Sequence, residues 1–170
     1  TFKKYVATDE YQYLSKDQIL ESKVTVKVTD GLGAETKKDL TVQIKGENDL
    51  STFDTFEASA EVTESNTATP IVSVTKDFTF SDIDTDDTHE VGCKIDGAFA
   101  TTVYILADKS IATAAPEDGN YFGVLEFSTD SDNKKGSYVF TLNSAAKCVD
   151  ELGVGKSETL NVDAFIRETS

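Results

Sequence analysis

Apolar and polar residues alternate strictly from Val24 to Val28 and again from Leu40 to Ile44. That is the period of a strand with one side against a core and the other in water. Asp30, Gly31, Leu32 and Gly33 between the two runs are turn residues, so the stretch predicts a β-hairpin with one wet face. Gly46, Glu47, Asn48, Asp49 and Leu50 break the alternation and read as a linker over 46–50. Strand-like segments then follow at 59–64, 70–75, 77–81, 90–95, 101–106, 121–128, 136–142 and 158–166, with a turn cluster from Asp130 to Gly136. A short helical turn is predicted over 143–152, with Asn143 as its cap and Ala145, Ala146, Val149 and Leu152 clustered. Residues 1–13 are ambiguous, with aromatics at Phe2, Tyr5, Tyr11 and Tyr13. Many short strands joined by turns predict an all-β sandwich.

The pattern also repeats along the chain. Shifted by 138 residues, Leu152 falls on Leu14, and Val162, Ala164 and Ile166 fall on Val24, Val26 and Val28. Phe140 falls on Phe2 and Glu168 on Asp30, so residues 139–170 correspond to 1–32. On this register residues 1–50 are the C-terminal portion of one repeat with its linker. Residues 51–170 are the next repeat, truncated before its last strand, and the chain reads as an excerpt. A hairpin without a sandwich, beside a sandwich without its edge strand, predicts strand exchange between copies.

Composition adds a bias. The formal charge is −15, with 8 bases against 9 acids in residues 1–50 and 8 against 22 in residues 51–170. Such an acidic surface argues against nucleic acid and suits divalent cations or simple solubility. No apolar run approaches the ~18 residues of a membrane span, so no membrane insertion is expected. Cys93 and Cys148 fit either a disulfide of a secreted domain or two buried thiols.

The densest chemistry lies between Phe80 and His89, where Asp82, Asp84, Asp86 and Asp87 put four carboxylates within six residues. Alternate spacing on a turning backbone lets several oxygens converge on a hard cation. A solvated acidic loop is the plainer alternative. The Gly and Glu that an EF-hand loop needs are missing, so a calcium site here follows another design. Glu47, Asn48 and Asp49 offer further oxygens at the linker, where an Asx-turn would use the same residues. Glu64 is another candidate from the following repeat.

Several stretches resemble a known family in the order in which they occur. Val28-Thr29-Asp30-Gly31-Leu32-Gly33 and Val42 to Asp49 are similar to the ending of VCBS-type, cadherin-like repeats. Phe78 to His89, Gly119 to Leu125 and Tyr138 to Asn143, with Leu152 and Gly155, resemble the body of the same repeat. Glu168 stands where the pattern has Asp, Leu50 where it has Ala-Pro, and the two cysteines are atypical. The resemblance implies an Ig-like or cadherin-like β-sandwich in a large bacterial surface protein, often an RTX adhesin. It implies stalks stiffened by Ca²⁺ at and near the joints, with neighbouring repeats of the same polypeptide as partners. It also makes Asp30 a candidate ligand, implies an extracellular, cell-surface location, and brings no catalytic residues.

Two other functions compete with a structural extender. For catalysis there is no G-x-S-x-G, H-E-x-x-H or phosphate-binding loop, and the single histidine, His89, reads as a loop or strand-start residue rather than a base. An enzyme is not expected. A module that binds sugar or peptide directly would use a surface loop such as 107–120, with Pro116, Glu117, Asp118 and Gly119. The extender is the favoured expectation.

Overall fold

The computed structural model describes residues 11–64, 72–153 and 155–169. Phe2 and Tyr5, with the start of the 70–75 segment, lie outside them. The chain forms two units: one holds the residues up to Leu50 together with Asp82–Asp87, the other Ser51–Ser81 and Thr88–Ser170.

In the first unit β1 (Ile19–Thr29) and β2 (Glu35–Lys45) pair antiparallel along their whole length, from Ile19 opposite Lys45 to Thr29 opposite Glu35. The turn is closed by Asp30, whose Oδ1 accepts the N–H groups of Leu32 at 2.9 Å and Ala34 at 2.8 Å. Gly33 takes φ 89°, where a side chain would be strained. Opposite residues in an antiparallel pair share a face. Glu21, Lys23, Thr25 and Lys27 therefore lie with Glu35, Asp39 and Gln43, and Thr25 bonds Asp39 at 2.7 Å on that side.

The other face carries Leu20, Val24, Val26 and Val28 beside Leu40, Val42 and Ile44. It differs from the expected hairpin with only one wet side. Val24 is 40% exposed, Val28 65% and Leu40 55%, and only Leu20 and Ile44 are half-buried. A two-stranded sheet by itself buries neither of its faces.

The second unit is an all-β sandwich. Its larger sheet is built from β3 (Thr52–Phe56), β4 (Ser73–Ser81), β7 (Thr102–Leu106), β8 (Ile111–Ala112), β9 (Tyr121–Asp130) and β10 (Lys135–Leu142), in the order β3-β4-β10-β9-β7-β8. The smaller sheet is β11-β5-β6, from β5 (His89–Ile95), β6 (Ala98–Ala100) and β11 (Phe165–Glu168). All pairings are antiparallel. Alternation in β4 sends Phe78 and Phe80 inward, to meet Val91, Cys93, Val103, Leu125 and Tyr138 in the main core. A smaller cluster of Ile105, Phe122, Ala146 and Val149 sits under α1 (Lys147–Asp150).

Several expected elements shift. The strand expected at 59–64 is absent. The first strand is instead β3, where Phe53 and Phe56 pack on the core across a register shift that lets both point inward. The segments at 70–75 and 77–81 merge in β4, and 158–166 contributes strand pairing only from Phe165. Asn143 does not cap the helical turn. The cap position is Ala146, and the Asn143 amide donates to the Gly119 carbonyl at 3.1 Å.

The disulfide alternative is not realised, because both cysteines are free. Cys93 is sealed within the main core on β5, whereas Cys148 rides on α1 against the smaller cluster. Burial pushes the Cys93 thiol up to about 11, and a nearby Asp163 charge adds to the shift. Alkylation of the native protein should therefore label Cys148 and spare Cys93, with both labelled after denaturation without reductant. Intact mass reads the outcome, and a thiol pair that resists alkylation in the denatured, unreduced chain would contradict it.

Candidate metal centre

The site belongs to the first unit and starts from backbone that must fold tightly. Gly46 donates its N–H to the Gln18 carbonyl at 2.8 Å, so the chain entering β1 and the chain leaving β2 meet there. A Cβ on Gly46 would lie 2.3 Å from the Ser15 carbonyl oxygen and 2.4 Å from that of Leu14, with backbone atoms that cannot step aside. Gly46→Ala should therefore destabilise the hairpin unit by about 2–3 kcal/mol. Hydrogen exchange of the β1 and β2 amides checks this, and unchanged protection would refute it.

That junction receives the acidic loop. The Gln18 side chain accepts the Ser15 N–H at 3.2 Å and donates to the Asp86 carboxylate. Thr85 donates to the Tyr13 carbonyl at 3.3 Å. Asp82 accepts the Asp84 N–H at 2.9 Å, an Asx-turn that bends the loop back on itself. The Asp84 side chain is thereby carried into the interior, where it is 0% exposed. Its Oδ2 accepts the Asp49 N–H at 2.9 Å. Its Oδ1 is buried with no hydrogen-bond partner among the described residues.

A buried carboxylate oxygen without a donor is costly, and its setting aggravates the cost. Burial raises the Asp84 pKa above the ordinary carboxylate value. The Asp49 N–H partly offsets this, while the charges of Asp82, Asp87 and Asp49 raise it further. Such a setting favours a positive charge beside Asp84. A hard divalent cation taking the unpartnered oxygen of Asp84, its shell completed by further oxygens and water, would supply it. Carboxylate oxygens suit calcium better than a soft metal.

The candidate residues separate accordingly. The charges of Asp82, Asp87 and Asp49 act on Asp84, and the Asp86 carboxylate is engaged by Gln18. Glu47 and Asn48 are exposed, and the Asn48 amide donates to the Asp49 carbonyl at 3.0 Å. Asp30 lies at the far end of the 11-residue strands, where its carboxylate closes the turn. Glu64 belongs to the second unit. Gln18 and the Tyr13 carbonyl were not expected at the site. Their separation of 68 positions along the chain leaves no local pattern that would pair Gln18 with Asp86.

His89 opens β5, is buried, and packs its ring against Phe80 at 5.1 Å; its backbone N–H donates to Ser131 at 2.8 Å. The 107–120 segment contains β8, and Asp108 and Asp118 each accept an N–H two residues on, from Ser110 and Asn120. Comparison with family models, with curated proteins and with solved structures finds no match to this chain.

Proposed function

We propose that this chain is a calcium-stabilised structural segment of a bacterial surface adhesin, an extender that holds an adhesive region away from the cell. The observation that carries the calcium reading is Asp84, fully buried with one unpartnered oxygen among three further carboxylates. The ordered motifs from Val28 to Gly155 support the adhesin context. In this reading the ion ties the residue that follows the hairpin, Asp49, to a loop inserted from the sequence beyond it. Without the ion the carboxylates repel, and the loop and linker separate.

Calcium titration after chelation, followed by thermal unfolding, tests the proposal. Binding to the native state alone raises the melting temperature by mass action. A rise that saturates with calcium and is not reproduced by an equal ionic strength of sodium chloride is expected. An unchanged melting temperature at millimolar calcium would remove the proposal.

A further inference from the structure

We propose that the exposed hairpin of one copy of this chain docks along β11, the end strand of its sheet, in a second copy, so that copies associate head to tail. Four observations support it. First, Val24, Val26, Val28, Leu40 and Val42 form one apolar face on which each is at least 40% exposed. Second, the 138-residue register indicates what kind of surface covers such a face. Val162 and Ile166, the counterparts of Val24 and Val28, pack against the main core of the second unit. The same pattern is thus buried where a sandwich is present and exposed where it is not.

Third, among the described residues β11 is the end strand of its sheet, with β5 as its strand neighbour. Its counterpart β1 has β2 as a neighbour. The Ser51 hydroxyl donates to Glu168 at 3.0 Å, which brings the end of β11 to the start of β3. Phe53 and Phe56 on β3 are only half-buried and are available to extend the apolar contact. A hairpin laid along β11 with its apolar face inward would add backbone hydrogen bonds at the edge and cover those rings.

Fourth, charge selects the pairing. The hairpin, residues 19–45, carries five lysines against four acids, whereas the second unit carries eight bases against eighteen acids. Two second units repel each other, but a hairpin meets an acidic sandwich without that penalty. The contact uses different surfaces on the two partners, so it propagates unless a ring closes.

Sedimentation velocity over a dilution series tests this, run in calcium and again in chelator so that the result stands apart from the calcium reading. In at least one of the two conditions the weight-average mass should rise with concentration to beyond that of a dimer, and the amides of residues 165–168 should exchange more slowly as it rises. The double variant Leu40→Lys with Val42→Lys should stay monomeric, with β4 and β10 protected from exchange as in the parent to show that its sandwich is intact. Mixed into the parent, this variant should shorten the assemblies, since it offers a β11 edge but no competent hairpin. A parent that is monomeric at every concentration in both conditions would overturn the proposal. So would a dimer that grows no further while residues 165–168 exchange at a constant rate.

Discussion

Phe78→Ala is expected to remove about 3–5 kcal/mol from the stability of the second unit, the usual cost of deleting a buried ring. Phe78 is 1% exposed at the centre of the main core. Its ring stands edge-on to Phe53 at 5.9 Å and tilted to Phe56 at 6.1 Å, so it joins β3 to β4 through side chains. The wall behind it is backbone. A Cβ added at Gly136 would come within 2.5 Å of the Phe78 ring, so β10 already lies as close as it can. Removing the ring leaves a cavity whose walls have little freedom to collapse, and the cost belongs at the upper part of the range. Because small domains are stable by only ~5–15 kcal/mol, such a loss takes a large share of the total. Urea unfolding of the parent and variant measures it, and a loss below ~1 kcal/mol would mean that the core is not centred on Phe78.

Asp84→Asn is expected to act in opposite directions with and without calcium. The amide keeps an oxygen for the Asp49 N–H and removes one charge from a desolvated group of like charges. In chelator the variant should melt no lower than the parent. In calcium it should forfeit the mass-action gain, which at a hundredfold excess over Kd is ~2.7 kcal/mol. A purely structural Asp84 gives the other result, a variant less stable in chelator and equally responsive to calcium.

The sequence made the sandwich legible wherever alternation and turn chemistry coincided. The hairpin is the clearest case: Val24–Val28 and Leu40–Ile44 flank a Gly-rich turn, and the observed pairing extends the same alternation to eleven residues on each side. Asp130 to Gly136 was equally readable, since Asp130 bonds both the backbone and the side chain of Asn133 in the turn between β9 and β10. The strand at Thr52–Phe56 was hidden because its register shift breaks the two-residue period. Asn143 misled because a good capping residue can be drawn to another acceptor, here the Gly119 carbonyl.

At the site, the aspartates announced themselves through spacing, but spacing did not tell Asp84 from Asp86. One is buried with an unpartnered oxygen and the other is exposed and bonded to Gln18. That difference arises from a hairpin base tens of residues away, which no local pattern encodes. The cysteines illustrate the same limit. Their separation in sequence allowed a bridge, and their assignment to two different hydrophobic clusters removed it.

Isothermal titration of calcium into the metal-free protein, parent and Asp84→Asn side by side, tests the central claim most directly. The account predicts saturable binding in the parent that is lost or severely weakened in the variant. Absence of binding in the parent, or equal binding in both proteins, would contradict it.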